Sequence, residues 1–276
     1  MRFDMSVAWR EATAMLSANR EVLLIVAGIF FFLPSLVAGF TMPSFQPMLS
    51  DAEAMQAQMM SYYGRFWWVI VLVMLTQVVG YLALLALLRD HRRPTVGEAI
   101  ATGLKGLLPA IGVFLLLTVV IGLLAFAIGL AAALLGTVLG AGGAAIIGVV
   151  VGLAMLVGFV FLMVRLSLWT PVIAIDKVFN PVRVLGRSWS LTRGHALRLF
   201  LFFLLLGLAY FVVSIVVGLV VGVLVLALGE SGGLIVNAVL SGLIGAIAAV
   251  IFVAVLAAVH RQLSGPSAAA VSETFE

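Results

Sequence analysis

The sequence predicts an all-α, polytopic membrane protein with six transmembrane helices arranged as three hairpins, each preceded by an amphipathic interfacial helix. The composition is 64% hydrophobic and 9% charged, which lies outside the range of soluble domains. Six apolar stretches each reach the length of about 20 residues that crosses a bilayer core. They cover residues 22–40, 66–88, 107–135, 144–170, 197–228 and 234–259.

The basic residues predict the orientation of these spans. Of the fifteen Lys and Arg residues, only Arg65 falls on the side that is opposite to all the others. By the positive-inside rule, the basic side is cytoplasmic, so both termini are predicted to lie in the cytoplasm. The even number of spans agrees with this prediction, because it places both termini on the same side of the membrane. The cytoplasmic set comprises Arg2, Arg10, Arg20, Arg89, Arg92, Arg93, Lys105, Arg165, Lys177, Arg183, Arg187, Arg193, Arg198 and Arg261.

The pattern suggests one membrane domain over 1–262, followed by a flexible cytoplasmic tail over 263–276. Within the domain an interfacial helix followed by two spans recurs at about 1–88, 89–170 and 176–259, a period of about 85–90 residues. The alternative is three unrelated helices beside the membrane, because sequence identity between the units is slight. A polar segment before the first span does not resemble a cleavable signal peptide.

Each unit begins with residues typical of an amphipathic helix that lies in the headgroup layer. Thr95 and Glu98 form a predicted capping box, and Asn180 with Pro181 predicts a helix start. The predicted apolar faces are Met5, Trp9, Ala12 and Leu16 in the first helix; Val96, Ile100, Leu104 and Leu107 in the second; and Val182, Leu185 and Trp189 in the third.

The segment 41–65 is the only long one on the predicted external side, and it is rich in methionine. Thioether groups suit Cu(I), so Met55, Met59 and Met60 are one candidate metal site. The favoured interpretation is a helix that begins with a capping box at Ser50 and leads into the second span. Its apolar residues, Met55, Met59, Tyr62 and Phe66, then follow at helical spacing.

Ionisable residues are missing from the middle of the predicted spans, although membrane proton relays and ion pathways require them. All eleven acidic residues and all three histidines fall outside the spans or at their cytoplasmic edges. The chain has no cysteine, which excludes disulfides and thiol catalysis. We therefore expect neither an enzyme active site nor a cofactor, and the basic loops are explained by anionic lipid rather than by nucleic acid.

Small and polar residues inside the spans have structural explanations. Small residues let helices approach closely in lipid, so we expect helix packing at Gly148-xxx-Gly152, at Gly218-xxx-Gly222 and along Ser241, Gly245 and Ala249. Among the polar side chains, interhelical hydrogen bonds are the simpler expectation. A small polar cavity is the alternative for Gln77, Tyr81 and Asn237.

Arg165 is the one charged residue placed below the predicted interface. The simpler interpretation is that its long side chain extends to the cytoplasmic surface without a specific partner. The alternative is a fixed contact with a loop carboxylate, such as Glu98 or Asp176, or with a lipid phosphate.

The region around Arg165 resembles a known pattern. Arg165 is followed by Pro171 at the end of a span, and then by Ser188-Trp-Ser-Leu-Thr-Arg-Gly. This arrangement resembles the membrane domain of glycerophosphoryl diester phosphodiesterases and the related YciC-like bacterial inner-membrane proteins. The resemblance implies a bacterial inner-membrane location. In the bifunctional members a separate soluble barrel performs the hydrolysis, so the resemblance does not imply phosphodiesterase activity for this chain.

The expected function is non-catalytic. We expect a lipid-associating or partner-docking inner-membrane protein that supports envelope homeostasis, with anionic phospholipids and an unknown cytoplasmic protein as candidate partners. The alternative is a transporter or lipid-moving permease whose site lies between the repeats. The residues predicted to bind lipid headgroups are Arg165, Arg183, Arg187, Arg193 and Arg198.

Overall fold

The computed structural model describes residues 3–41, 52–88 and 94–265, and every regular element in those ranges is a helix. Six helical segments are long and apolar enough to cross a membrane, as predicted. The protein is therefore an all-helical, multi-pass membrane protein. The six segments are Arg20–Thr41, Met55–Leu87, Val96–Thr137, Ala145–Ala174, Ala196–Gly229 and Gly232–Ser264.

The helices are numbered in chain order. A π-helical segment, Gly28–Phe32, lies between α2 and α3 and belongs to the first span. Helix α8 contains two spans, α5 contains the third span and most of the fourth, and α6 completes the fourth; α1 and α7 are shorter. The bounds are α1 Met5–Ala18, α2 Arg20–Ala27, α3 Leu33–Thr41, α4 Ala52–Leu87, α5 Val96–Leu166, α6 Trp169–Ala174, α7 Pro181–Leu191 and α8 Ala196–Ser264.

Side-chain caps begin three of these helices. The Thr95–Glu98 capping box is present at α5, and Asn180 accepts hydrogen bonds from the second and third backbone amides of α7. Both predicted starts are confirmed. Asp4 caps α1 in the same way, accepting from the amides of Ser6 and Val7 at 2.8 and 3.1 Å. Such caps satisfy amides that have no partner inside their own helix.

Glycines divide the two longest helices. Gly140 in α5 has φ 70° and ψ −179°, and Gly229 in α8 has φ 73° and ψ 178°. A residue with a Cβ atom rarely adopts these angles, so glycine permits the break in helical geometry at both positions. Both breaks fall in the short gaps between predicted spans, at 136–143 and at 229–233.

The first, second and sixth spans pack around the π-helical segment. A Cβ atom at Gly80 of α4 would lie 2.5 Å from the Cβ of Phe30 and 2.8 Å from the ring of Phe31. Gly242 of α8 similarly faces Phe32, since its Cβ position is 3.3 Å from that ring. These glycines leave room for consecutive phenylalanines, so aromatic rings fill the space between the three spans.

The glycine pairs expected to pack helices together do not do so within this chain. Cβ atoms at Gly148, Gly152, Gly218 and Gly222 would meet nothing within 4 Å, and the same is true of Gly245. The prediction of close packing at these glycines is therefore wrong for the single chain. Close approach occurs at other glycines instead: besides Gly80 and Gly242, Gly103 lies against Val79 and Gly106 against Leu82, where an added Cβ would meet atoms at 2.6 and 2.8 Å.

The buried core is concentrated at one end of the protein. Fully or nearly buried residues occur over 82–88 near the end of α4, over 172–174 in α6 and over 253–260 near the end of α8. By contrast, none of the most apolar window of the fourth span is buried, whereas 61% of that of the sixth span is. The packed end contains α1, α6 and α7 and the ends of the spans beside them.

The amphipathic segments differ in part from their predicted form. The second is not a separate helix, because Val96 begins α5, which continues into the third span. In α1 the buried residues are Ala8 and Ala12, while Trp9 is 42% exposed. Alanines allow the close approach of α1 to α8, so the face that carries Ala8 and Ala12 is buried and Trp9 lies outside it.

The third amphipathic helix, α7, packs on the rest of the protein through a different face from its predicted apolar one. Its buried residues are Val184, Ser188 and Leu191, whereas Val182 is 66% exposed. The reason is that α7 packs against the end of α5 through hydroxyl groups as well as apolar ones.

The methionine-rich segment joins the second span directly. Helix α4 begins at Ala52 and continues without a break to Leu87. Tyr62 is buried and its ring centroid lies 5.4 Å from that of Phe66, in agreement with the predicted apolar face. Met60 is 69% exposed, away from that face. Predictions about the Ser50 capping box, Arg89, Arg92, Arg93 and most of the tail 263–276 lie outside the described residues.

We expect Gly80→Ala to destabilise the protein. The added methyl group has to displace Phe30 or Phe31, and overpacking of this kind costs about 1–3 kcal/mol. Gly152→Ala is the matched control, because it makes the same change in an apolar helix with nothing within 4 Å. Thermal unfolding in detergent should show a lower Tm for Gly80→Ala and an unchanged or higher one for Gly152→Ala. Equal Tm values would contradict the packing of the first span on the second.

Candidate functional site

Two hydroxyl groups, one in α7 and one directly after it, hold the end of α5. The Oγ of Ser188 and the Oγ1 of Thr192 donate hydrogen bonds to the backbone carbonyl of Arg165, at 3.1 and 3.0 Å. Both hydroxyl-bearing residues are fully buried. The last carbonyls of a helix have no partner within it, so these side chains supply hydrogen-bond donors to the Arg165 carbonyl across 23 and 27 residues of sequence. We call this set of contacts the α5–α7 clasp.

Trp189, between the two hydroxyl residues, contacts the side chain of Arg165. The guanidinium carbon lies 4.9 Å from the ring centroid of Trp189 and 5.3 Å from that of Phe161. These two rings are themselves in edge contact, with centroids 5.9 Å apart. A guanidinium group over aromatic faces is stabilised by the electrostatic attraction of the rings. Its Nε and Nη1 are buried without a hydrogen-bond partner in the described part of the chain.

The sequence allowed either no specific protein partner for Arg165 or a contact with a loop carboxylate, and the structure shows neither. Glu98 is engaged in the capping box of α5, and Asp176 contacts other groups. The partners of Arg165 are aromatic rings instead. The Ser-Trp-x-Leu-Thr pattern therefore has a structural explanation, since its Ser, Trp and Thr all contact Arg165 near the end of α5.

Asp176 connects the loop before α7 to the end of α8. One carboxylate oxygen lies 3.1 Å from Nε2 of the buried His260, and the other accepts a hydrogen bond from Nε of Arg187 at 3.3 Å. Burial by itself raises the pKa of the Asp176 carboxyl, but the contacts with His260 and Arg187 outweigh burial and hold that pKa below its usual range. The Asp176 carboxylate therefore links two elements in its charged form.

The two ends of the described chain meet at the same packed end. Nε of Arg261 donates to Glu11 of α1 at 3.2 Å, and Nη1 of Arg198 donates to the carbonyl of Phe3 at 3.4 Å. The ring of Phe3 also contacts that of Phe202, with centroids 5.8 Å apart. Helix α1 is thus attached to both the beginning and the end of α8.

The four arginines around α7 have different environments. We call Arg183, Arg187, Arg193 and Arg198 the basic cluster. Arg187 and Arg198 each make one side-chain hydrogen bond, to Asp176 and to the carbonyl of Phe3. Arg183 and Arg193 are exposed, and their side chains have no hydrogen-bond or ion-pair partner among the described residues. Two guanidinium groups therefore face outward beside the ends of the spans.

The polar residues considered for a cavity have separate environments. Tyr81 packs its ring on Phe31, with centroids 4.8 Å apart. Asn237 is exposed and accepts a hydrogen bond from Ser241 of its own helix at 3.2 Å. Gln77 is half-buried on α4. In the described part of the chain no hydrogen bond joins any two of these three residues.

Several contacts of the packed end are difficult to predict from the sequence. His260 and Asp176 are separated by more than eighty positions, and nothing in their local sequence pairs them. Ser188 and Thr192 do share a signal, because their spacing of four places both hydroxyl groups on one face of a helix.

Comparison with protein-family models, with curated proteins and with solved structures finds no match to this chain.

We expect Arg165→Lys to lower the Tm even though it keeps the positive charge. Lysine lacks the planar group that lies over the rings of Phe161 and Trp189. In a double-mutant cycle, Arg165→Lys and Trp189→Leu should couple by about 0.5–2 kcal/mol, since each removes the partner of the other. Arg183→Lys is the matched control, because it makes the same change at an exposed arginine. It should be additive with Trp189→Leu.

The measurement is thermal unfolding of the purified variants in detergent. If Arg165→Lys were as stable as the wild type, the charge alone would account for the role of Arg165, and the aromatic contact would contribute nothing. Additivity of Arg165→Lys with Trp189→Leu would contradict the contact directly.

Proposed function

We propose that this chain is a non-catalytic inner-membrane protein of a bacterium and that it associates with anionic phospholipid through the basic cluster at its cytoplasmic face. The single observation that carries the proposal is the exposure of Arg183 and Arg193 beside the ends of the spans, without partners in the described part of the chain. Each basic residue near an anionic membrane surface contributes about 1 kcal/mol of attraction.

The proposed topology has both termini in the cytoplasm and three hairpins of two spans. The contact of α1 with the end of α8 supports it, because that contact places the two ends of the described chain together. The breaks at Gly140 and Gly229 support turns between the third and fourth spans and between the fifth and sixth. The fourteen basic residues on one side assign the packed end to the cytoplasm.

We further propose that α1 and α7 lie at the membrane interface. Trp9 and Val182 support this placement, because both remain exposed beside buried residues of the same helices. Burial of such side chains in the boundary between headgroups and acyl chains is favourable. In this position the outward arginines of α7 reach lipid phosphates while its inner face keeps the α5–α7 clasp.

The non-catalytic assignment is supported by what the ionisable residues of the packed end contact. Asp176 contacts His260 and Arg187, and Glu11 contacts Arg261. These contacts join elements of the fold, which is a structural role. The α5–α7 clasp also includes the residues that resemble the membrane domain of glycerophosphoryl diester phosphodiesterases. We propose that this resemblance reflects a shared way of holding α7 and not a shared hydrolytic activity.

The proposal predicts selective retention of anionic lipid by the purified full-length protein. Native mass spectrometry should detect more bound phosphatidylglycerol than phosphatidylcholine after addition of equal amounts. Replacing both Arg183 and Arg193 by glutamine should reduce that preference by about thirtyfold, because about 2 kcal/mol of attraction is removed. Higher salt during lipid addition should have the same effect.

Arg65→Gln is the control for the loss of positive charge, because Arg65 is the basic residue at the opposite end of the spans. It should leave the preference unchanged. Equal retention of the two lipids by the wild type would refute lipid association through charge. Movement of lipid or solute by the reconstituted wild type would instead favour the alternative of a permease.

A further inference from the structure

A polar cleft of about 400 Å³ lies beside the basic cluster. The last residues of α7 and the turn that follows it form one wall, and the C-terminal end of α8 forms the other. The side chains important for the argument are those of Arg187, Arg193 and His195, and the facing segment is 262–265.

The cleft lies where two spans end. His195 directly precedes the fifth span, Ala196–Gly229, and the sixth span ends at Ser264. Both limits of these spans contribute to the lining, so the cleft opens at the edge of the membrane. Phosphate groups of phospholipids lie at this level, in the headgroup layer that flanks the hydrocarbon core.

The lining is rich in positive charge and in hydrogen-bond donors. It contains two arginines and one histidine, and among the residues that the structure describes it contains no carboxylate. In the guanidinium of Arg187, Nε donates to Asp176, and the terminal nitrogens make no hydrogen bond within the described residues, so their N–H groups are available as donors. Arg193 is exposed and has no side-chain partner in the described ranges. Guanidinium groups form strong, charge-assisted hydrogen bonds with phosphate oxygens.

We propose that this cleft is a binding site for one phosphate group, carried by an anionic phospholipid or by a soluble phosphate compound. Arg187 and Arg193 stand at different points of the wall, so a tetrahedral phosphate can accept from both through different oxygens. The volume exceeds that of a phosphate group alone and leaves room for the group attached to it. For the lipid source the inference rests on the function proposed above.

Arg193→Gln tests the site, because Arg193 lines the cleft and makes no side-chain contact that supports the fold. Arg183→Gln is the matched control, since Arg183 is an equally exposed arginine of the basic cluster that does not line this cleft. One arm measures phosphatidylglycerol binding by native mass spectrometry. The other arm measures the rise in Tm with inorganic phosphate and with glycerol 3-phosphate, against sodium chloride at equal ionic strength.

The expected result is that Arg193→Gln weakens binding about tenfold or more in at least one arm. Arg183→Gln should weaken phosphatidylglycerol binding only about fivefold, through the loss of one charge of the basic cluster, and should change the soluble arm less than about twofold. An effect in the lipid arm alone identifies a lipid headgroup as the source of the phosphate. An effect in the soluble arm identifies a site for free phosphate compounds. Equal effects of the two substitutions in both arms, or no effect in either, would overturn the proposed site.

The two proposals fail in different ways. If the wild type preferred phosphatidylglycerol to phosphatidylcholine but Arg183→Gln and Arg193→Gln weakened it equally, lipid association would stand and the discrete site would fall. If the wild type showed no lipid preference but bound glycerol 3-phosphate through Arg193, the site would stand and lipid association would fall.

Discussion

The packed end of this protein depends on the contact between the end of α5 and α7. The backbone carbonyl of Arg165 accepts from two buried hydroxyl groups, and the guanidinium of the same residue lies over Trp189. A helix end in an apolar environment requires partners for its last carbonyls. The hydrogen bonds from Ser188 and Thr192 to this carbonyl hold α7 beside the spans, in an orientation that directs Arg183 outward. The basic surface and the neighbouring cleft both follow from this placement.

A bilayer changes what the core of such a protein has to do. Apolar side chains of the third to fifth spans are exposed in the single chain, and lipid tails are as suitable a surrounding for them as other helices. Specific packing is therefore concentrated where polar groups need partners. At that end Asp176 joins two elements, and Glu11 joins α1 to α8. The result is a structured polar end attached to spans that are largely covered by lipid.

Features that depend on neighbouring residues were predictable from the sequence, and features that depend on distant partners were not. The spans follow from length and apolarity, and the caps at Thr95 and Asn180 follow from side chains that bond nearby amides. Gly80 and Gly152 look equivalent in sequence, yet only Gly80 meets phenylalanine rings, because another span brings them there. The partners of the Arg165 carbonyl are likewise more than twenty residues away, and the contact face of α7 follows from them.

The proposed function requires the packed, basic end of the protein to face the cytoplasm. Because the chain contains no cysteine, single cysteines can be introduced without removing native ones. Thr137→Cys and Ser190→Cys are suitable, since both residues are exposed. Thr137 ends the third span on the proposed external side, and Ser190 lies in α7 at the packed end. In intact cells a membrane-impermeant thiol reagent should modify the cysteine at 137 and leave that at 190 unmodified until the membrane is opened. Modification at 190 in intact cells, with protection at 137, would contradict the orientation and the function proposed from it.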